Sequence, residues 1–538
     1  MSDTDVGVIR SSSVMAAGTV ASRVTGVLRS VAIAAAIGNL TRLANAYNTA
    51  NTLPNIIYIL LVGGALNAVF IPQLVRHMKD DTDSGKAYAD RLLTLSGLVL
   101  LLVTVVAVVT APLITPLYAG NVSARQVQVT IWFAYLCLPQ IFFYGMYALY
   151  SQVLNTRGRF GAPMFAPIVN NVVVIVGCLV FLARGAAVDI YTLTWSEVLL
   201  LGGATTLGVV AQAAVLVPVL SRAGYRFRPR FDLRGQGLGR AVTLARWTIF
   251  YVAVNQLTFL VITRLANTAG RYGTAAGSAA YANAQLMFIL PHSIITVSVV
   301  TALMPRMSRA AHAGDLAEVR HDLSGAMRLV ASAMVPATVL LLLLGPSVAE
   351  LLLSYGNADD AGARAVGHVL QGFTVGLLGF TVYYVLLRGF YALEDTRTPA
   401  LWGLFLNAVN LAVGYVLFTV LSRDLKVVGL AIGYSAAYVA TALVFWLVLR
   451  RRLGGLDTYV TVRTLVRLVI AGVLAAAAGG AVYLLVDDRL GSGRVHALVA
   501  CALVAPVVLA VFTVCARRMR VPEVGNVIDL VARRLRRA

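Results

Sequence analysis

Hydrophobic runs long enough to cross a bilayer, about 20 residues each, recur along the whole chain and limit it to one class of fold. In lipid, a helix satisfies its own backbone hydrogen bonds, so such runs are expected to be helical. The composition agrees, because 59% of the 538 residues are hydrophobic and only 12% are charged. We therefore predict an all-α, polytopic membrane protein with about fourteen transmembrane helices.

The ends of the hydrophobic runs give the approximate boundaries of the predicted spans. The first span lacks a small-residue cleavage site behind a short apolar core, so we expect it to remain as an uncleaved anchor. The spans leave no segment for a soluble catalytic domain, and we predict a transporter and not an enzyme. They cover residues 14–38, 44–72, 92–118, 128–154, 163–184, 195–220, 241–267, 277–304, 326–353, 366–392, 399–421, 427–449, 468–486 and 495–516.

Arginine is concentrated in particular predicted loops. Basic residues are retained on the cytoplasmic side of a membrane, so we predict that the even-numbered loops and both termini are cytoplasmic. The net charge of +21 then indicates contact with anionic lipid headgroups and not with nucleic acid. The densest positions are the loop between spans six and seven and the end of the chain: Arg222, Arg226, Arg228, Arg230, Arg234, Arg240, Arg533, Arg534, Arg536 and Arg537.

Two proline-containing patterns occur twice at nearly the same spacing, which indicates an internal repeat. In the first pattern, a proline at the end of a span precedes an arginine by four residues. In the second, a proline at the start of a span precedes an asparagine by eight residues. The first pattern is Pro72 with Arg76 and Pro305 with Arg309, offset by 233 residues; the second is Pro163 with Asn171 and Pro399 with Asn407, offset by 236.

The repeat predicts the organisation of the chain. A duplicated unit of six helices gives two lobes of the same orientation, as in transporters that are built from parallel halves. We expect these lobes to surround a central cavity. The predicted boundaries are residues 1–225 for the N-terminal lobe, 226–455 for the C-terminal lobe, 456–520 for two additional helices and 521–538 for a basic cytoplasmic tail.

Arg23 and Arg29 lie inside the first predicted span, where lipid hydrocarbon is expected. A cation near the middle of a bilayer costs roughly 2.5 kcal/mol or more unless it faces water, protein or a bound anion. All 23 Asp and Glu residues fall in loops or end turns, so no carboxylate neutralises these arginines. Guanidinium groups bind phosphate oxygens bidentately, which predicts a phosphate-bearing substrate. The alternative is that both side chains reach an interface or pair with backbone carbonyls.

Other polar residues of the spans complete the predicted site. The repeat offset relates Arg29 to Arg264 of the seventh span, and Gly26 is a candidate position for a bend in the first helix. His292, like His312 and His321, is interpreted as a surface or boundary residue. The four isolated cysteines are read as small core residues, and the absence of phosphate-binding, hydrolase and zinc motifs predicts no cofactor and no metal.

Four segments of the sequence resemble the signatures of the MurJ/MviN lipid II flippases. The resemblance covers essentially the whole chain. That family belongs to the multidrug/oligosaccharidyl-lipid/polysaccharide exporter superfamily, whose members have two six-helix lobes, and MurJ proteins add two C-terminal helices. The segments are residues 22–29 (SRVTGVLR), 53–55 (LPN), 154–160 (LNTRGRF) followed by Ala166 and Pro167, and 388–399 (RGFYALEDTRTP).

The resemblance implies a function in peptidoglycan biosynthesis, and so in cell-wall biogenesis and cell shape. A flippase of this family moves undecaprenyl-diphosphate-linked muropeptide, lipid II, across the bacterial plasma membrane by alternating access. Cell-wall synthesis proteins and membrane lipids are further expected partners. By motif position, Arg23 and Arg29 match family arginines that engage the diphosphate. The candidate substrate-binding residues are Arg23, Arg29, Arg264, Asn45 and Asn55.

The chain departs from the family pattern where cavity charges are expected. Tyr58 and Ile59 stand where the family has two arginines, and the position near Ala284 lacks another. Arg264 is a candidate to supply one missing cation. Two alternatives stay open: an exporter of another polyprenyl-diphosphate-linked glycan or of an anionic lipid, and a non-transporting membrane scaffold for cell-wall synthesis.

Overall fold

The computed structural model describes residues 3–59, 86–186, 188–231, 238–491 and 493–525. All regular secondary structure in these ranges is helical, which confirms the predicted all-α fold. The helices are α1 (Asp3–Ile37), α2 (Arg42–Tyr58), α3 (Lys86–Val109), α4 (Ala111–Ala119), α5 (Ala124–Cys137), α6 (Gln140–Thr156), α7 (Gly161–Ala183), α8 (Trp195–Ala214), α9 (Leu216–Arg222), α10 (Leu238–Ala269), α11 (Ser278–His312), α12 (Leu316–Leu353), α13 (Asp360–Thr374), α14 (Leu377–Ala392), α15 (Arg397–Val420), α16 (Lys426–Arg452), α17 (Thr458–Leu490) and α18 (Arg494–Arg518).

The described helices agree with the predicted spans. They include 12 that are long and apolar enough to cross a membrane, or 13 if the bent pair of α13 and α14 counts as one span. That pair, bent by 49°, corresponds to the tenth predicted span. The second predicted span, residues 44–72, begins with α2 and continues into residues 60–85, which lie outside the described residues. The polytopic fold is thus confirmed, and the count of fourteen is approximate.

Two compact units make up the chain. Unit 1 comprises Met1–Thr274 with Tyr355–Ala358, and unit 2 comprises Ala275–Ser354 with Asp359–Ala538. The boundary at Thr274 differs from the lobe boundary predicted at residues 225 and 226, because α10 packs against α4 of unit 1. The short segment Tyr355–Ala358 joins unit 1 through the backbone hydrogen bond from Asn357 N–H to Ala35 O, at 2.8 Å.

Small residues allow the helices of unit 1 to pack closely. The helix α1 lies along α7, and α7 also packs against α8. A Cβ atom on Gly18 of α1 would lie 2.9 Å from Met164 Cβ, and one on Gly208 of α8 would lie 2.4 Å from Asn170 Oδ1. In lipid, where hydrophobic burial drives helix association only weakly, such close approach supplies van der Waals contact.

Unit 2 has a continuous apolar core between α12 and the last two helices. Residues such as Val339 of α12, Ala475 of α17 and Val508 of α18 are buried in one cluster. Arg328 Nε donates to Glu523 Oε1 at 2.7 Å, and this ion pair ties the segment after α18 to α12. The two helices that extend the chain beyond the predicted lobes are therefore integral to unit 2.

Loop contacts within each unit join predicted loops of the same parity. In unit 1, Arg42 Nε donates to Arg271 O at 3.1 Å, joining loops one and seven. At the other end of that unit, Arg157 Nη1 donates to Ala223 O at 3.3 Å, joining loops four and six. This sorting agrees with helices that cross the unit alternately. Which end faces the cytoplasm stays a prediction.

The same pattern holds in unit 2. Arg452 Nη1 forms an ion pair with Asp395, which joins the predicted loops twelve and ten. Arg494 Nη2 donates to Ser354 O, which joins loops thirteen and nine. These contacts lie at the helix ends, so the described ion pairs of unit 2 are concentrated outside the apolar middle of its helices.

Candidate substrate site

Arg29 lies deep in the first span. It stands eight residues before the end of α1 at Ile37, which corresponds to about 12 Å along the helix axis. The hydrocarbon core of a bilayer is about 30 Å thick, so this position is far from either interface if α1 ends near one of them. The side chain is half-buried. A location at the headgroup level therefore does not account for Arg29.

The guanidinium of Arg29 faces the interior of unit 1. It interacts electrostatically with side chains of four other helices: Tyr47 of α2, Cys137 of α5, Tyr144 of α6 and Cys178 of α7. Cys137 and Cys178 are buried, as expected for small core residues. Side chains of these four helices therefore form part of the environment of this cation.

Neutral hydrogen-bonding groups line the space around Arg29. Tyr47 Oη and Thr205 Oγ1 are 2.7 Å apart, and Asn170 Nδ2 donates to Gln212 Oε1 at 3.0 Å. These hydrogen bonds pair part of the buried polar groups, whereas Asn170 Oδ1 and Gln140 Oε1 have no hydrogen-bond partner in the described ranges. We call the set the polar interior of unit 1; it consists of Tyr47, Gln140, Tyr144, Asn170, Thr205 and Gln212.

No carboxylate neutralises Arg29 within the part of the chain that the structure describes. A guanidinium that is surrounded by neutral dipoles in a medium of low dielectric constant attracts an anion strongly. The arrangement is suited to hold a phosphate group that reaches it.

Arg23 lies on a different face of α1. Its side chain is exposed, and Val20, Val24 and Leu28 beside it are also exposed. Six residues separate Arg23 from Arg29, which corresponds to about 120° around a helix. The two guanidinium groups therefore do not share one stripe of the helix surface.

Asn171 holds α1 against α7 between the two arginines. Its Nδ2 atom donates to Thr25 Oγ1 at 3.0 Å and to Ser22 O at 3.4 Å. The helix α1 continues through Gly26, and the suggested bend at this glycine stays a prediction. The contact fixes the rotation of α1, and with it the direction in which Arg29 points.

Arg264 occupies the end of a span. It lies five residues before the end of α10 at Ala269, about 7.5 Å along the axis. Its Nη1 atom donates to Leu117 O in the last turn of α4, at 3.1 Å, and the side chain is exposed. A cation at a helix C-terminus is favourable. This contact pairs Arg264 with a backbone carbonyl, and it shares no residue with the contacts of Arg29.

The two candidate asparagines differ in accessibility. Asn45 of α2 is completely buried, whereas Asn55 of the same helix is exposed. One turn after Asn55, the Tyr58 ring packs on the Tyr144 ring with centroids 5.8 Å apart. Tyr58 stands where the family that the sequence resembles has an arginine. Its ring contacts Tyr144, which interacts with Arg29. The structure thus connects Arg29 with the Asn55 end of α2, and it places Asn45 in the core.

Comparison with known proteins identifies the family. The family model described as lipid II flippase MurJ matches residues 33–502. The chain belongs to this MurJ family. The match includes Arg264, Asn45 and Asn55, while Arg23 and Arg29 lie before its first residue.

Relatives of similar length carry the same family name. The chain is 28% identical over 514 residues to the probable lipid II flippase MurJ of Rhizobium meliloti, covering 92% of this chain and 91% of that protein. It is 26% identical over 539 residues to the probable lipid II flippase MurJ of a Synechocystis species, covering 97% of both. Lipid II flippase MurJ of Burkholderia cenocepacia is 27% identical, covering 81% of this chain and 82% of that one.

Solved structures show the same fold. A structure described as lipid II flippase MurJ in an inward closed conformation matches with a TM-score of 0.73 at 17% identity, covering 94% of this chain and 99% of the other. An inward-facing multidrug resistance MATE transporter of the MOP superfamily matches with a TM-score of 0.65 at 16% identity, covering 80% and 95%. The fold is thus that of MurJ and of MATE transporters.

Sequence reasoning missed the burial of His292. His292 was interpreted as a surface or boundary residue, but its side chain is only 3% exposed, so that interpretation is wrong. It is the fifteenth of the 35 residues of α11. The signal was available, because His292 falls near the middle of the predicted span 277–304. Pro291, directly before it, also lies inside the continuous helix.

Proposed function

We propose that this protein is a lipid II flippase of a bacterial plasma membrane. Lipid II is the lipid-linked muropeptide of peptidoglycan synthesis, and the protein would move it across the bilayer by alternating access. The observation that carries the proposal is Arg29, a half-buried cation inside α1 that faces the polar interior of unit 1, in a chain of the MurJ family.

Arg29 is the main proposed contact of the diphosphate. Its planar guanidinium can donate two parallel hydrogen bonds to phosphate oxygens, and the surrounding neutral dipoles leave its charge uncompensated. Arg23 is exposed on α1, so it would meet the charged head group on its way along the helix. The polyprenyl chain needs no polar contact and stays in lipid.

The other candidate residues receive lesser roles. Arg264 already donates to Leu117 O, so binding a phosphate would require that hydrogen bond to be exchanged. Asn55 is exposed and can contact substrate directly. Asn45 is buried, and we propose that it acts only by holding α2 in place.

We further propose that the lobes arose by duplication and that both termini are cytoplasmic. Pro163 and Pro399 are each the third residue of their helices, α7 and α15, which supports the equivalence of these helices. Exposed arginines at the end of α9 and in the segment after it would then face anionic headgroups. They are Arg222, Arg226, Arg228 and Arg230.

Depletion of the protein from the organism that encodes it tests the function. We expect lipid II to accumulate on the cytoplasmic face of the membrane and its supply to the outer leaflet to fall. Re-expression of the natural chain should restore translocation, and Arg29→Gln, which keeps length and polarity but removes the charge, should not. Arg184→Gln is the matched control, because Arg184 is exposed at the end of α7.

The alternatives give different results. Accumulation of another carrier-linked glycan, with normal lipid II translocation, would replace lipid II as the substrate. Normal translocation of every carrier-linked glycan, with mislocalised cell-wall synthesis proteins, would favour a scaffold. Full activity of Arg29→Gln at normal abundance would remove the role given to the Arg29 charge.

A further inference from the structure

His292 lies in the middle of α11 and is buried inside unit 2. Fourteen residues separate it from the start of the helix at Ser278, about 21 Å along the axis. Its side chain is 3% exposed. An ionisable group at this depth is unusual in a membrane protein, and it needs a partner or a function.

The surroundings of His292 suit a neutral ring. Its Nδ1 atom lies 3.3 Å from Oγ1 of Thr381 on α14, and Thr381 is itself buried. The ring contacts Phe380 and Tyr384 with centroid distances of 4.5 Å and 4.8 Å. Four further aromatic rings pack on Phe380 or on one another. We call the set around His292 the aromatic cluster of unit 2: Phe288, Phe373, Phe380, Tyr434 and Tyr438.

Ionisable groups near His292 do not compensate a positive charge. On α14, Tyr384 faces the ring and accepts a hydrogen bond from Arg388, whose guanidinium lies 4.6 Å from the tyrosine ring centre. From α13, Phe373 packs on Phe288 of α11, and from α16 the phenol Tyr434 packs on both of these rings. The acidic residues of α12 pair with arginines near its two ends. Among the described residues, no ion pair of His292 with a carboxylate is formed.

Protonation of His292 would therefore be incompatible with this packing. A buried imidazolium without a counter-ion costs free energy, and the faces of the aromatic rings repay only part of it. Arg388, linked through Tyr384, adds a like charge on the same side. The protonated ring would be stable only where it reaches water, which requires α11 and α14 to separate near Thr381.

We propose that His292 is a proton-binding site whose occupancy is linked to the packing of α11 against α14. A ligand shifts a conformational equilibrium only when it binds the two states differently, and a proton does so here because the ring is buried in one state. Histidine is the side chain whose charge changes most readily near physiological pH. As a coupling site for transport, His292 rests on the proposed flippase function; as a proton-binding site it does not.

Hydrogen exchange tests the proton-binding site directly. The full chain is placed in phospholipid nanodiscs without lipid II, and exchange in the α11 and α14 peptides that contain His292 and Thr381 is measured at about pH 5 and about pH 7.5, corrected for intrinsic rates. For the natural protein we expect exchange at least about threefold faster at the acidic pH, because local opening admits the proton. His292→Gln should abolish the difference. The control His368→Gln, at an exposed ring of α13, should retain it.

Thr381→Val covers the case in which His292→Gln does not fold. It removes the hydroxyl beside Nδ1, so the acid-induced exchange should begin at a higher pH than in the natural protein. The proposal is overturned if the natural protein shows no pH-dependent exchange in these peptides, or if His292→Gln shows the same dependence.

Translocation of lipid II across the membrane of proteoliposomes then tests whether His292 couples transport to a pH gradient. With lipid II present, an imposed pH gradient should change the translocation rate of the natural protein and leave the rate of His292→Gln unchanged. An equal response of both proteins would overturn the coupling role. Failure of the natural protein to translocate lipid II under any gradient would contradict the flippase function, while the exchange experiment would still decide the proton-binding site.

Discussion

The interiors of the two units are built from different chemistry. Around Arg29, unit 1 holds amides, hydroxyls and phenols that hydrogen-bond to one another. Around His292, unit 2 holds stacked and edge-to-face aromatic rings, and the hydroxyl of Thr381 is the polar contact of the histidine. One interior holds a half-buried permanent cation, and the other holds a titratable ring that is enclosed by aromatic side chains.

This difference teaches how the same helical fold accommodates ionisable residues. A guanidinium stays charged at any pH a cell meets, so protein dipoles must support it or an anion must bind it. An imidazole can lose its proton, so an apolar site is tolerable as long as the ring remains neutral. We therefore propose that unit 1 contacts the substrate and that unit 2 binds the proton.

Among the substitutions that test this comparison, Arg29→Lys should have the largest effect. Lysine keeps the charge but loses the planar fork, so we expect translocation of lipid II to fall about tenfold or more. Arg23→Lys should cost less, because the exposed Arg23 side chain is not fixed by surrounding protein. Both rates can be measured in proteoliposomes at equal protein abundance. Equal losses would mean that burial does not distinguish the two arginines.

Gly433→Ala should lower stability through backbone contact in unit 2. A Cβ atom at Gly433 would lie 2.7 Å from Gly414 Cα, and backbone cannot move aside cheaply, so we expect a loss of roughly 1–3 kcal/mol. Gly203→Ala in unit 1 is the control, because its Cβ atom would have 3.9 Å to the nearest side chain. Thermal unfolding in nanodiscs compares them. A similar melting temperature for both variants would contradict close packing of α15 and α16.

Tyrosine-to-phenylalanine substitutions test how much a buried phenol hydroxyl contributes to stability in each unit. Tyr47→Phe removes the hydrogen bond to Thr205, which should cost about 1 kcal/mol. Tyr281→Phe, in unit 2, alters a ring that packs on Phe373 with centroids 4.8 Å apart, and it should change stability little. Unfolding of both variants under one condition gives the comparison. A larger loss for Tyr281→Phe would mean that the phenol of unit 2 also has a required polar contact.

The smallest expected effect concerns Asp395, in the segment between α14 and α15 of unit 2. Partial burial raises the pKa of Asp395, but hydrogen bonds from Thr398 and the ion pair with Arg452 outweigh it, so the net pKa is lowered. A lowered carboxyl pKa contributes stability above its unfolded value, about 3.9, and loses it as the pH falls through the folded value. Asp395→Asn should therefore melt earlier than the natural protein near neutral pH, with the gap closing below about pH 4. A gap that does not change with pH would point to a loss of packing and not of charge.

The sequence was sufficient for much of the fold. Hydrophobic run length predicted the spans, because each span must cross the same thickness of lipid. The paired Pro163 and Pro399 predicted the equivalent starts of α7 and α15, because proline is tolerated in the first turn of a helix. The depth of Arg29 followed from the same run lengths.

The sequence was less informative about which polar residues meet. Arg264 was related to Arg29 by the repeat offset, yet it donates to Leu117 at the end of α4. The sequence indicated a surface or boundary position for His292, yet the residue is buried near the middle of α11. Contacts between distant helices depend on their rotation and crossing, and neither can be read from the spacing along one helix.

The sequence by itself determined that this protein spans the membrane many times and that two arginines lie inside its first helix. Both follow from the cost of placing backbone and charge in hydrocarbon, which acts locally on each segment. Only the tertiary structure decided that Arg29 points into unit 1 while Arg23 stays exposed, and that His292 is enclosed by aromatic rings. Those outcomes depend on which helix faces pack together, and side chains far apart in the chain set that packing.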